Sequence, residues 1–90
     1  MGKNPLEPTP LYDAGWSLLT SSQRKLVFHA LDLYKYDATH PSLRVHTPRW
    51  YDSSTLSISA DDDLRILLRI RADGSILLLD VGNHERVYGE

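Results

Sequence analysis

The sequence predicts an α+β domain in which an N-terminal α-helical hairpin packs on a C-terminal antiparallel β-meander. Apolar residues recur at spacings of three and four in the first half of the chain, which is typical of helices. In the second half they alternate with polar residues, which is typical of strands. Helices first and strands after is the α+β pattern, and 90 residues make a single domain, residues 1–90, with one modest core.

Residues 1–9 are predicted to form an extended, proline-rich arm. Pro5 and Pro8 cannot donate to the hydrogen-bond ladder of a central strand, so this arm can be at most an edge strand. Thr9 and Pro10 then supply a hydroxyl cap and a first-turn proline. They predict a short helix over residues 11–18.

A second, longer helix begins at a capping box formed by Thr20 and Gln23. Pro41 ends it at or before His40, because proline disfavours a helical conformation in the residue before it. The apolar side chains of this helix are predicted to share one face, and they are Leu26, Val27, Ala30, Leu31 and Tyr34. The two helices, joined by a short turn, form the helical hairpin.

The strands of the meander follow in the second half of the chain. Leu56, Ile58 and Ala60 alternate with serines in the first strand. The second strand spans residues 64–70, and a hairpin signal at Asp73-Gly74 leads into a third, more buried strand over residues 75–81. Because the connecting turns are short, neighbouring strands must be antiparallel.

Because successive side chains of a strand point to opposite faces, the sequence separates the two faces of the middle strand. If Leu64, Ile66, Leu68 and Ile70 face the helices, three arginines must point the other way. We call these residues, Arg65, Arg69 and Arg71, the arginine ridge. The ridge is either a local cationic site or an ordinary solvated strand face, and periodicity alone does not distinguish the two.

The C-terminal segment offers groups for proton transfer and anion binding. His84 can donate or accept a proton near neutral pH, and Tyr88 and Arg86 can hydrogen-bond an anionic group. The alternative for His84 is an ordinary surface residue near the chain end. Gly82 lets the chain turn sharply after the buried strand, so we expect a short tail beside the sheet.

Neither a metal nor a cofactor is expected. His40 and His46 flank Pro41 on a loop with no carboxylate pair nearby, which makes a poor metal site. The aspartates at 61–63 fall in a hairpin turn, where such side chains usually bond their own backbone. The chain has no cysteine, which excludes thiolate chemistry, and it has no phosphate-binding glycine loop.

Composition and charge indicate a cytoplasmic protein without membrane contacts. The N-terminus lacks the apolar run of a signal peptide, and no stretch approaches the length that spans a bilayer. The net charge is −2 and the isoelectric point is near 6.0. Any binding of nucleic acid must therefore depend on a local cluster of arginines rather than on the charge of the whole molecule.

Five segments, taken in order, resemble the RelE/ParE toxin superfamily of type II toxin–antitoxin systems. They are residues 20–25, 40–46, 56–59, 63–67 and 79–88. The last of them, a buried strand that ends in Gly-x-His-x-x-Val-Tyr, is the most specific. The resemblance covers most of the chain and implies the RelE-like fold, with two helices packed on an antiparallel sheet.

The resemblance also implies an activity. RelE-like members are mRNA interferases, metal-independent endoribonucleases that act on mRNA, commonly on the ribosome, by attack of the 2′-hydroxyl on its own phosphodiester. Arg65 would stabilise the transition state, His84 would transfer a proton, and Tyr88 would contact the substrate base or assist proton transfer. Arg44 and Arg69 would be secondary phosphate contacts. A cognate antitoxin is the implied protein partner.

Alternatives of a different class stay open. One is a non-nucleolytic interaction protein, either a gyrase-directed toxin or a degenerate member that only binds an antitoxin. Another is an unrelated domain that shares the fold. The chain also departs from the family pattern, because Ser59 stands where a basic residue is common, and Asp61 and Asp62 stand where basic or neutral residues are common. Each change lowers the expected affinity for RNA.

Overall fold

The protein is described by a computed structural model that covers residues 5–49 and 51–89. Its strands are β1 (Leu6–Pro8), β2 (Thr55–Ser59), β3 (Leu64–Ile70) and β4 (Ile76–Asn83), and its helices are α1 (Pro10–Ser17), α2 (Ser21–Tyr36) and α3 (His84–Tyr88), with one 3-10 turn at Pro41–Leu43. The predicted α+β fold, a helical hairpin followed by a β-meander, is confirmed. No helix in the described ranges is long and apolar enough to cross a bilayer.

The sheet has four strands in the order β1-β4-β3-β2. Strands β2, β3 and β4 form the predicted antiparallel meander. Strand β1 lies at the edge and runs parallel to β4, with Leu6 opposite Ile76. The proline-rich arm thus supplies an edge strand, as its prolines require, while residues 1–4 of the arm lie outside the described ranges.

Both long helices begin at the predicted caps. The Thr9 hydroxyl accepts a hydrogen bond from the backbone N–H of Tyr12 at 3.2 Å, and Pro10 occupies the first turn of α1. In α2 the capping box is complete. The Gln23 N–H donates to the Thr20 hydroxyl at 3.1 Å, and the Thr20 N–H donates to the Gln23 side chain at 2.9 Å.

The core lies between the two long helices and one face of the sheet. Val27, Ala30 and Leu31 of α2 are buried in it, as predicted, whereas Leu26 is 37% exposed. Leu26 lies about 80° around the helix from Tyr34, at the margin of the apolar face, because each residue turns the helix by about 100°. Leu26 therefore lies on the predicted face but at its exposed margin.

On the sheet side, Leu64, Ile66 and Leu68 of β3 join this core as predicted. Ile70, the last residue of the strand, is 41% exposed and lies outside this core, which corrects its predicted place among the residues that face the helices. Leu67 lies between these core residues and is buried as well, although alternation points it to the opposite face. A second layer therefore covers part of that face.

Candidate active site

The second layer is α3, the C-terminal helix. Sequence reasoning predicted a tail beside the sheet, and the structure instead shows a helix over His84–Tyr88, begun by Asn83, whose side chain accepts from the Arg86 N–H at 2.8 Å. His84 and Tyr88 are four residues apart and lie on the same side of α3. Their rings meet edge to face, with centroids 4.4 Å apart.

The Tyr88 hydroxyl joins two residues from the middle of the chain. It lies 2.5 Å from the hydroxyl of Ser57, a fully buried residue of β2, and 3.5 Å from Nε2 of His46. His46 lies beside β2 because its backbone forms an isolated antiparallel bridge with Ser57. We call His46, Ser57, His84 and Tyr88 the polar cluster.

Hydrogen bonding defines the protonation pattern of His46. Its Nδ1 lies 2.9 Å from the carbonyl oxygen of Arg44, and a carbonyl can only accept. In the neutral ring the proton is therefore on Nδ1, and the accepting lone pair is on Nε2, which lies 3.5 Å from the Tyr88 hydroxyl. The cluster thus contains a nitrogen that can accept a proton.

Arg65 lies on the same sheet face as Ser57, two residues nearer the hairpin that joins β2 and β3. It pairs with Ser59 on one side and Gly82 on the other. Ser59, opposite Arg65, is about 7 Å along β2 from Ser57, because two strand residues each add about 3.3 Å. The Arg65 guanidinium donates to the carbonyl oxygens of Asp61 at 2.6 Å and Leu64 at 3.3 Å, so it is held at the hairpin end of the row.

The other two members of the arginine ridge are ion-paired. Arg69 donates to Asp52 at 3.1 Å, and Arg71 pairs with Glu7 of β1. Hydrogen bonds from Ser54 and Thr55, together with the nearby Arg69, lower the pKa of Asp52, so its carboxylate stays charged. The predicted phosphate contact at Arg69 is thus already occupied by an acidic side chain.

The side chains of Arg44 and Arg86 have partners other than the polar cluster. Arg44 ends the 3-10 turn in the left-handed conformation, with φ 49°, and its exposed side chain lines a groove shared with Asp61 and Asp62. Arg86 donates to the buried carboxylate of Asp80 at 3.1 Å and to the Leu11 carbonyl at 3.2 Å. These contacts tie α3 to β4 and α1, which is a structural task. Substrate binding by Arg44 and Arg86 stays a prediction.

His46 and Ser57 are members of the polar cluster that the sequence does not predict. His40, the other histidine beside Pro41, does not join them, because its Nδ1 accepts from the Ser42 backbone and caps the 3-10 turn. Within residues 5–49 and 51–89, no group of three or more histidine, aspartate or glutamate side chains is placed to hold a metal ion. The sequence signal for the position of His46 is weak: its segment can pair with the serine-rich strand β2, as its bridge to Ser57 shows.

Three side chains from outside the helix hold α3 in place. Asp63 accepts from the His84 N–H at 3.2 Å, Tyr51 donates its hydroxyl to the Val87 carbonyl at 3.0 Å, and the Asp80–Arg86 ion pair lies between them. A helix of five residues is far below the length at which isolated helices are stable. The position of Tyr88 in the polar cluster therefore depends on these outside contacts.

We expect Tyr51→Phe to loosen α3 without affecting the sheet. One net hydrogen bond is worth about 1 kcal/mol, so amide hydrogen exchange in α3 should rise about fivefold, while exchange in β3 stays unchanged. Tyr36→Phe is the matched control, since Tyr36 is 90% exposed at the end of α2. Equal exchange in the Tyr51 and Tyr36 variants would show that the Tyr51 hydroxyl does not hold the helix.

Comparisons with known proteins identify this architecture. No protein-family model matches the sequence, and no curated protein does. Solved structures do match. A metal-bound toxin from Helicobacter pylori superposes with a TM-score of 0.78 at 16% identity, covering 94% of this chain and 99% of its own. YafQ from Escherichia coli strain BL21(DE3) superposes with a TM-score of 0.74 at 10% identity, covering 97% and 100%.

A third match comes from an archaeal complex. A chain of the RelB-RelE antitoxin-toxin complex of Methanococcus jannaschii superposes with a TM-score of 0.69 at 12% identity, covering 92% of this chain and 95% of its own. All three likenesses extend over nearly the full length of both chains. At such low identity they establish the fold. This chain has the fold of the RelE-like toxins.

Proposed function

We propose that this chain is the toxin of a type II toxin–antitoxin system and acts as an endoribonuclease on mRNA. The observation that carries the proposal is the meeting of His46, Tyr88 and Ser57 on the sheet face that also bears Arg65. A proton acceptor, hydroxyl groups and a guanidinium on one surface are the groups that phosphodiester cleavage needs. The RelE-like fold supports the same activity.

The proposed reaction is internal attack by the ribose 2′-hydroxyl on the adjacent phosphorus. His46 Nε2 takes the 2′-hydroxyl proton as the new P–O bond forms. His84, acting as the general acid, gives a proton to the departing 5′ oxygen as the old P–O bond breaks. The products are a 2′,3′-cyclic phosphate and a 5′-hydroxyl end, so all atoms and protons balance without an added water or metal.

Tyr88 and Arg65 support this reaction in different ways. The Tyr88 hydroxyl, close to both Ser57 and His46, orients the attacking hydroxyl and the flanking base. Arg65 stabilises the charge that develops on the phosphorane oxygens. To do so, its guanidinium must release the Asp61 and Leu64 carbonyl oxygens and rotate toward the polar cluster. A bound phosphate is a stronger partner for it than a neutral carbonyl.

The proposed protein partner is a cognate antitoxin. YafQ has been crystallised with DinJ, and RelE with RelB, each as a toxin–antitoxin complex. We expect this chain to co-purify with the product of a neighbouring small gene when both are expressed. Free expression of the chain alone, with no effect on growth, would argue against a toxin.

A second function has a specific observation in its favour. Arg69 and Arg71 are ion-paired and Arg65 is bound to carbonyls, so the sheet face presents little free positive charge. A non-nucleolytic member, which poisons gyrase or only binds an antitoxin, needs no cationic face. This alternative predicts biological effects that do not depend on the polar cluster.

Induced expression in bacteria tests the proposal. We expect the wild-type chain to arrest growth, with 2′,3′-cyclic ends on the cleaved mRNA, and Arg65→Ala, His84→Ala and Tyr88→Phe to relieve the arrest. Tyr36→Phe, which changes an exposed tyrosine, should arrest growth like the wild type. Arrest that all three site variants retain would indicate another target. Uncleaved mRNA in arrested cells would refute the nuclease.

A further inference from the structure

The carboxylates around the polar cluster are arranged in a way that limits its substrate. Asp52 lies at the Thr55 end of β2, where it accepts hydrogen bonds from Thr55 and Arg69. Asp61 and Asp62 lie at the other end, in the turn that precedes Arg65, and both are exposed. Strand β2, from Thr55 to Ser59, is about 13 Å long at about 3.3 Å per residue. Exposed negative charge therefore borders β2 at the Asp61–Asp62 end, whereas at the other end the charge of Asp52 is balanced by Arg69.

The two arginines of β3 on this face have different partners. Arg69 is paired with Asp52, whose carboxylate keeps its charge. The Arg44 side chain lies outside this face, in a groove that α2 residues line together with Asp61 and Asp62. Arg65 is different, because the partners it holds are neutral carbonyls that a phosphate can replace. Among the residues that the structure describes on this face, Arg65 therefore offers the phosphate position, and it stands beside the exposed carboxylates of Asp61 and Asp62.

We propose, on the basis of the proposed function, that the substrate is short, unstructured RNA free of the ribosome, gripped at a single phosphate. A particle built largely of RNA presents dense negative charge, and an approaching face needs several unpaired cations to overcome the repulsion. This chain has a net charge of −2 and acidic groups around its site. A short single strand meets the cluster with far less of that repulsion.

The number of phosphates gripped has a direct signature in salt dependence. For single strands, the logarithm of the binding constant falls with the logarithm of salt concentration with a slope of about −0.7 per phosphate contact. One contact at Arg65 predicts a slope of about −0.7, whereas a face that tracks a long strand through several contacts would give a much steeper one.

The first experiment compares substrates with the purified full-length chain. We expect cleavage of a free tetranucleotide and a free 20-mer with kcat/KM values within about threefold of each other, because phosphates beyond the gripped one add little. Adding ribosomes programmed with the same mRNA should not raise the rate. Cleavage only in the presence of ribosomes would overturn this inference and leave the proposed nuclease intact. No cleavage of any RNA under either condition would refute the nuclease itself.

The second experiment changes the charge around the cluster. Asp61→Lys and Asp62→Lys together should steepen the salt slope for the 20-mer to about −2, since each new cation adds about −0.7. The affinity for the 20-mer should rise while that for the tetranucleotide changes less. Asp13→Lys, on α1 at the other side of the sheet, alters the net charge in the same direction and is the control. An unchanged slope in the double variant would overturn the inference.

Discussion

Replacing His46 with alanine is expected to lower the rate of RNA cleavage by about 10²–10⁴-fold, the usual contribution of a positioned general base. The reason is the lone pair on Nε2, which the Nδ1 hydrogen bond to the Arg44 carbonyl leaves free beside Tyr88. Single-turnover cleavage of a short RNA measures this step without interference from product release. His29→Ala, which removes an exposed histidine of α2, should leave the rate unchanged.

Combining His46→Ala with Tyr88→Phe tests whether the two residues act together. Groups that serve one step give strongly non-additive losses, so the double variant should be little slower than His46→Ala alone. Losses that multiply would show that Tyr88 acts independently of His46, for example by contacting the base. A His46 variant as fast as the wild type would remove His46 from the reaction and leave His84 as the remaining histidine of the cluster.

Replacing Gly15 with alanine is expected to destabilise the fold by about 2–4 kcal/mol, at or above the usual cost of overpacking. In most helix interiors the same change is stabilising by roughly 1 kcal/mol, because alanine is the better helix former. Here a Cβ on Gly15 would lie 2.2 Å from the Val81 carbonyl oxygen and 2.9 Å from Nε of Arg86. Backbone cannot move aside cheaply, so α1 must separate from β4.

Urea unfolding of the full-length chain measures this effect. Ala14→Gly is the matched control, since Ala14 is the exposed neighbour on the same helix and should lose only about 0.5–1 kcal/mol. The sign of the Gly15 result is decisive. A gain in stability from Gly15→Ala would mean that α1 does not approach β4 as closely as the structure has it. A displaced α1 should also weaken the Arg86 contact to the Leu11 carbonyl.

Local patterns in the sequence were sufficient to predict the order and type of the main elements. The caps at Thr9 and at Thr20 with Gln23 each involve residues within a single helical turn. The starts of α1 and α2 therefore follow from neighbouring residues. Alternation needs only a few residues to place Arg65 on the face away from the long helices. The α+β fold could be predicted because each of these signals is short in range and all of them agree. Its RelE-like character came from the family resemblance.

The expected roles of the site residues needed more than pattern. The resemblance selected Arg65, His84 and Tyr88, and the structure brings the last two together on α3. It also shows that Arg69 is paired with Asp52, 17 residues away along the chain. Such a pairing has no signature in strand alternation, because it depends on how the loop before β2 folds back over the sheet edge.

Two features of this protein were decided by tertiary structure alone. His46 and Tyr88 are 42 residues apart, and they meet only because the bridge to Ser57 brings His46 against β2 while α3 folds over β3. Helix α3 is too short to be stable by itself, so its formation depends on Asp63 and Tyr51. The sequence by itself determined α1, α2 and the three strands of the meander, because these elements depend on local preferences. The long-range contacts that assemble the polar cluster exist only once the chain is folded.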